Sequence, residues 1–284
     1  MSNKVNRDYP TKEMTDEQLK SVAIANIDQT TGNQTTSYPT EIVQLPSKGK
    51  LYSPDSPLSS GQIEMKYMTA KEEDILTNQS FIKNGVVLDK LFQALIVTPC
   101  DYNDLLLGDK NAIMIAARVL GYGKEYPMSV PHPATGEQVE HTVDLTQLKD
   151  RIIDWTLLED GKNEFPFELP ASKHVVTIRI LNHGIQKKID AELKGLAKLK
   201  KTATLTTMLK YIIIALDGDT DNVKIRKFID NELLALDSRS IRQYLRTITP
   251  DIDLSVEVPD VDSGDTFHSQ LNIGLNFFWP DSEL

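Results

Sequence analysis

The sequence predicts an α+β fold, mostly helical, with small antiparallel β-hairpins in two related helix-then-hairpin blocks behind a flexible N-terminal arm. Three observations predict it. Between Thr69 and Ile248, apolar residues recur in separate stretches at the period of a half-buried helix. Short runs of alternating polarity, bounded by Pro, Gly and Asn, interrupt those stretches as strands would. One pattern is also used twice: Val130-Pro131-His132-Pro133-Ala134-Thr135-Gly136-Glu137 and Val258-Pro259-Asp260-Val261-Asp262-Ser263-Gly264-Asp265 both read Val-Pro, four residues, Gly, acid. Each copy follows a predicted helix and leads into a β-like run, Val139 to Leu145 in the first and Phe267 to Phe278 in the second.

Residues 1–40 form the arm, rich in Thr, Asn, Gln and Ser and poor in the large apolar side chains that would offset the entropy of ordering it. Within it, Thr15-Asp16-Glu17-Gln18 has the form of a capping box, so a short helix through Leu19, Val22 and Ala23 can form on a partner. Glu41 to Leu45 alternates like a strand. The turn-rich Leu45-Pro46-Ser47-Lys48-Gly49-Lys50-Leu51-Tyr52 then leads to a second strand with Ile63, Met65 and Tyr67 on one face. Thr69-Ala70-Lys71-Glu72 starts a helix, since hydroxyl and carboxylate can each satisfy a free first-turn amide. After Asn84-Gly85, a stronger helix carries Leu88, Leu91, Phe92, Leu95 and Ile96 until Thr98-Pro99 stops it. Asp109 reads as the cap of the next helix, whose buried stripe is Ile113, Ala116, Ala117 and Leu120 and which ends at Gly121 and Gly123.

The first hairpin follows, from Tyr126 to Leu145, and then a helical stretch from Leu148 to Leu158 containing Trp155. A β pair comes next, Phe165 to Leu169 and Val175 to Ile180. Four helices fill the remainder up to Ile248. The first is lined by Ile185, Ile189, Leu193 and Leu196, and the second by Leu205 through Leu216, ended near Asp217-Gly218. The others cover roughly 223–236 and 238–248, and Pro250 stops the run before the second hairpin. A boundary within 159–163 divides the chain into a first block over residues 41–160 and a second, helix-rich block over 161–284 that ends in an acidic aromatic tail.

With 284 residues, 40% of them hydrophobic, the chain can furnish an ordinary packed core. No run approaches the roughly 18 apolar residues a bilayer span needs, and no apolar stretch follows the early charges, so no membrane association and a cytoplasmic protein are expected. The single cysteine, Cys100, excludes an internal disulfide and a cysteine-only metal site and reads as a buried bystander before a helix. The net charge of -10 is uneven. His183 to Arg246 holds 13 Lys/Arg against 8 Asp/Glu, whereas Thr247 to Leu284 holds 8 acids and no Lys or Arg. These two ends can attract each other within a molecule or between neighbours, which makes self-association a candidate.

Candidate chemistry is sparse. The basic helix face from Lys187 to Lys201, with Lys194, Lys198 and Lys201, could neutralise phosphates. That helix has no aromatic side chain to stack on bases and the whole chain is acidic, so nucleic-acid binding is the weaker reading. Asp217-Gly218-Asp219-Thr220-Asp221-Asn222 alternates carboxylates like a calcium loop, but the sixth position is not Gly and Phe228 stands where the bidentate Glu belongs, so an interhelical turn is favoured. Leu45 to Lys50 is too short for a phosphate-binding loop. His132 and His141 could face each other across the first hairpin and His268 sits near Asp260, Asp262 and Asp265, yet neither hairpin offers the four ligands zinc requires. No nucleophile elbow or Ser-His-Asp spacing occurs. No catalytic residue, cofactor or metal is assigned.

Several stretches in order carry a resemblance: Leu45 to Tyr52; Gly61 into Thr69-Ala70-Lys71-Glu72-Glu73-Asp74-Ile75-Leu76; Leu106-Leu107-Gly108-Asp109-Lys110 leading to Arg118-Val119-Leu120-Gly121-Tyr122-Gly123; the first hairpin; Arg239-Ser240-Ile241-Arg242-Gln243-Tyr244; and Leu275-Asn276-Phe277-Phe278-Trp279-Pro280. Together, from about Glu41 to Pro280, they resemble the baseplate hub and hub-assembly proteins of T4-like contractile-tailed bacteriophages. Members often carry Cys-x-x-Cys knuckles at both hairpin tips, where this chain has His132-Pro133-Ala134-Thr135 and Asp260-Val261-Asp262-Ser263, so zinc is not carried over. The resemblance implies a non-enzymatic tail protein that recognises other hub and tail proteins in the host cytoplasm during assembly, either as part of the virion or as an assembly factor. Phe277, Phe278 and Trp279 are the expected partner anchors, though they could equally close this chain's own core.

Overall fold

The computed structural model describes residues 39–260 and 265–278; residues 1–38 of the predicted arm, with its Thr15 capping box, and Trp279 lie outside them, while Thr40, placed in the arm by the sequence, opens the first strand. The α+β fold is as the sequence predicts: eight helices with four small antiparallel sheets among the described residues. Strand β1 (Thr40–Gln44) pairs with β2 (Gln62–Lys66), Val43 opposite Ile63. The chain between them turns back at Lys48 and Gly49, both at positive φ. Only glycine suits the second position, because a Cβ on Gly49 would lie 2.2 Å from the Ser59 carbonyl oxygen. Ile63 and Met65 are buried as expected, while Tyr67, at the end of the strand, is exposed.

Helix α1 (Ala70–Leu76) begins at the Thr69 capping box, with Glu72 closing back on the Thr69 amide at 3.1 Å. α2 (Gln79–Asn84) was not evident from periodicity and is capped by Asn78. α3 (Val87–Leu95) buries Val87, Leu91, Phe92 and Leu95. α4 (Leu107–Tyr122) corrects the reading of Asp109: the cap is Leu106, and Asp109 is a fully buried residue of the first turn. α4 approaches Pro250 so closely that a Cβ on Gly108 would sit 2.0 Å from the Pro250 carbonyl oxygen.

The hairpin of β3 (Glu125–Pro131) and β4 (Gln138–Asp144) follows in the expected place. The helix expected over 148–158 is absent. The segment is extended: Asp150 bridges Ile252, and the amides of Arg151, Asp154 and Asp253 donate to Asp251, Thr247 and Lys149 carbonyls. Partners in the 247–253 segment satisfy the backbone that a helix would have satisfied internally, and only Trp155–Leu157 forms a single 3-10 turn.

β5 (Phe165–Glu168), β6 (Val175–Ile178) and β7 (Ile213–Leu216) form the three-stranded sheet. Here too a helix is cut short. α5 (His183–Lys198) forms as predicted, but α6 (Thr204–Ile212) stops before Ile213, and Ile213–Leu216 pairs with β6 instead. A run of β-branched residues suits either structure, and the open edge of β6 decides it. α7 (Asn222–Asn231) and α8 (Ala235–Ile248) follow; in the first turn of α8, the buried Asp237 accepts the amides of Ala171 (2.7 Å) and Ser172 (3.0 Å).

The second hairpin pairs β8 (Ser255–Pro259) with β9 (Thr266–Gln270). The strand expected to run to Phe278 ends at Gln270, and a 3-10 turn at Leu275–Phe278 drives two phenylalanines inward. The two hairpins touch: His132 Nε2 lies 3.5 Å from Asp260 Oδ2, and its ring meets Phe267 edge-on at 5.2 Å. His132 Nδ1 accepts the Ala134 and Thr135 amides, and His141 pairs across the ladder with Met128, so the two histidines do not face each other. Contacts cross the position near 160: the Gly161 amide donates to the Lys50 carbonyl at 2.6 Å and Asn111 bonds Asp251 at 2.9 Å, within a single hydrophobic core.

Candidate functional site

α5 carries the lysine-rich face that the sequence marks out. The Asn182 side chain caps it by accepting the Ile185 amide, and Ile189 is buried on its inner side. His183, Lys187, Asp190, Ala191 and Lys194 fall at three- and four-residue spacing and so share one stripe. That stripe forms one wall of a cleft of about 470 Å³. Opposite it stand Ile82, Asn84 and Gly85 at the end of α2 and Val86, Leu88 and Asp89 at the start of α3; Leu107, Lys110 and Leu275 also line it. Gly85 adopts positive φ, which lets α2 end and α3 begin at the rim.

Four polar side chains meet at the cleft's inner end. Lys110 Nζ donates to Asp89 Oδ1 at 2.8 Å and contacts His183 Nδ1 at 3.1 Å. An ammonium cannot accept, so Nδ1 is the acceptor and the ring proton sits on Nε2, 3.3 Å from Asp89 Oδ2. The Tyr102 hydroxyl donates to Asp89 at 3.1 Å, and its ring lies 4.6 Å from that of His183. Burial pulls the Asp89 carboxyl upward, but the hydrogen bonds from His183 and Lys110 and the lysine charge outweigh it and hold the group well below the usual carboxylate range. Burial, followed by the Asp89 charge, pushes the Tyr102 hydroxyl up, so it remains a donor. Each group is occupied by another, which makes the cluster a joint between α3, α4 and α5. What the cleft can do is bind.

A second polar joint underlies the Leu45–Tyr52 turn. Asp109 accepts from the Ser47 amide (2.9 Å), the Ser47 hydroxyl (2.7 Å) and the Tyr52 hydroxyl (2.5 Å), while Tyr52 accepts the Leu106 amide at 3.0 Å. Burial raises the Asp109 carboxyl despite these three donors. The turn that superficially resembles a phosphate loop is therefore clamped to the start of α4.

The predicted partner anchors separate. Phe277 and Phe278 are 1% exposed and cannot anchor a partner. Phe277 packs on Tyr126 at 4.8 Å and Phe278 on Phe92 at 6.4 Å, and the Arg118 Nε donates to the Phe277 carbonyl at 3.2 Å. Trp279 lies outside the described residues. Lys194 lines the cleft; Lys198 is one turn further along the stripe, and Lys201 lies beyond the helix C-cap at Leu199. In the calcium-like stretch, Asp217 bonds His174 and the Val175 amide, Asp219 pairs with Lys224 and Asp221 caps α7, so its carboxylates serve local structure. Among the described residues no three His, Cys, Asp or Glu side chains are grouped to hold a metal ion, and no helix is long and apolar enough to cross a membrane. Sequence reasoning missed Asp89, Tyr102, Lys110 and His183. It placed Asp109 wrongly although Asp109, Ile113 and Ala117 share one stripe, and a carboxylate on a buried stripe is the signal of a clamp.

No family model, curated protein or solved structure matches the chain.

Proposed function

We propose that the protein is a component of the bacteriophage baseplate hub, or a factor required for hub assembly, and that it works by protein–protein recognition. The observation that supports this reading is where the separated, resemblance-bearing stretches lie. Ser47 and Tyr52 of the first close on Asp109 of the third; Arg118 of the third holds the carbonyl of Phe277 in the last; and Tyr126 of the first hairpin packs on Phe277. Stretches far apart in sequence thus form the joints of one frame, as a shared fold requires. The cleft beside α5 adds a surface suited to a partner, with apolar walls and a charged rim.

The test is a pull-down of tagged protein from infected cells, followed by mass spectrometry. Recovery of tail proteins is expected, and recovery of nucleic acid or metabolic enzymes alone would overturn the reading. Mass spectrometry of purified particles then separates the two roles: abundance at hub copy number marks a structural subunit, and absence marks an assembly factor.

A further inference from the structure

The cleft between α5 and the α2–α3 junction has a charge arrangement that selects its occupant. Of the two carboxylates in its lining, Asp89 is held by Lys110, His183 and Tyr102, while Asp190 is exposed, accepts from the Gln186 side-chain amide at 2.8 Å and keeps its charge, which Lys187, Lys194 and Lys198 outnumber. The two lysines on the rim are not so engaged. Lys187 and Lys194 are exposed, stand two turns apart on one stripe, and make no ion pair among the described residues. Lys198 extends the basic line by another turn. Between this line and the opposite wall lie Ile82, Val86, Leu88, Leu107 and Leu275, all partly buried and all open to the cleft.

We infer that this cleft binds an acidic amphipathic helix of a partner protein, with apolar side chains laid against Leu88, Leu107 and Leu275 and carboxylates along one edge facing Lys187 and Lys194. An amphipathic helix in a groove is read through anchors at three- and four-residue spacing, and rim charges set which helix is accepted and how fast it arrives. The walls favour protein over nucleic acid: the one ring in the lining, the His183 imidazole, is buried and held by Asp89 and Lys110, so bases have no exposed ring to stack on, and the aliphatic side chains would be left uncovered by a sugar-phosphate chain. The inference rests on the recognition role proposed above and names the chemistry of the partner segment.

The experiment titrates full-length protein against a fluorescent helical peptide of about 16 residues, matched to the length of α5, with leucines at helical spacing and glutamates flanking them. A second peptide carries lysine in place of every glutamate, and a third probe is a single-stranded DNA of mixed sequence. Saturable binding of the acidic peptide is expected, with the lysine peptide at least about tenfold weaker. Two variants at exposed positions locate the site: the charge reversal K187E/K194E and the plug Ala191→Trp, each first shown to retain the wild-type thermal midpoint. Both should weaken the acidic peptide about tenfold or more. Equal binding of the two peptides, unchanged binding in both variants, or displacement of the peptide by DNA with the same lysine dependence would each overturn the inference. If tail proteins are still recovered from infected cells with K187E/K194E at wild-type yield, only the cleft assignment fails; if they are not recovered with wild-type protein, the hub reading fails.

Discussion

Removing the Tyr52 hydroxyl probes the clamp that holds the Leu45–Tyr52 turn on α4. Tyr52→Phe deletes a 2.5 Å hydrogen bond to a buried carboxylate and strips the Leu106 amide of its acceptor. A hydrogen bond to a charged group contributes about 1.5–3 kcal/mol, and a buried donor left unsatisfied costs about 1–3 kcal/mol. Because one hydroxyl serves both groups and the ring stays, the two overlap, and a net loss of about 3 kcal/mol is expected. For a domain of this size that lowers the thermal midpoint by roughly 6–12 °C. Asp109→Ala should cost more, about 3–5 kcal/mol, since it leaves the Ser47 amide, the Ser47 hydroxyl and the Tyr52 hydroxyl without their acceptor. Urea titration of both single variants and the double variant completes a cycle, in which the coupling should be about 1–3 kcal/mol because the residues touch. A Tyr52→Phe loss below about 0.5 kcal/mol, or strictly additive single effects, would refute the clamp.

Three further outcomes follow from the same structure. Gly108→Ala drives a methyl into the Pro250 carbonyl oxygen, 2.0 Å from where its Cβ would lie; separating α4 from the 250–251 segment should cost at least about 3 kcal/mol, whereas Gly136→Ala at the exposed hairpin tip, with nothing within 4 Å, should cost less, and urea midpoints compare them. The depressed Asp89 carboxyl contributes stability that is present above the ordinary carboxylate value of about 3.9 and is lost as pH falls from there through the depressed folded value; the stability gap between wild type and Asp89→Asn should therefore be constant near neutrality and shrink in acid, as followed by thermal melts across pH. Burial, with Asp101 and Asp104 nearby, pushes the Cys100 thiol up, so its labelling by a thiol-specific reagent should be slow near neutral pH and accelerate as pH rises; fast labelling at neutral pH would contradict that environment.

Much of the frame was legible because its instructions are local. The Thr69 capping box, the apolar spacing of Leu91, Phe92 and Leu95, and the Pro and Gly residues around both hairpins act over a few neighbouring positions. Where two local patterns fit equally well, the sequence could not choose. Ile213–Leu216 suits a helix or a strand and became a strand because β6 offered an edge; Leu148–Leu158 has helical spacing but found its hydrogen-bond partners in the segment around 247–253. Of the candidate site, only the basic stripe on α5 was visible, since a run of lysines needs no partner to be recognised.

By itself, then, the amino-acid order determined the α+β class, the helix starts at Thr69 and after Gly85, the two hairpins and the polarity of charge along the chain, all of them properties of residues within a turn or two of each other. Tertiary structure decided which polar groups became joints and which aromatics faced inward. Asp109 reaches Tyr52 and Ser47 across 57 and 62 positions, and nothing near it in sequence distinguishes a helix cap from a buried clamp. Phe277 and Phe278 could equally have anchored a partner; Arg118, Tyr126 and Phe92 offered them a core, and burying two aromatic rings there is worth more than leaving them in water. The cleft exists only because α5 returns to lie beside the α2–α3 junction, a meeting that no local pattern specifies.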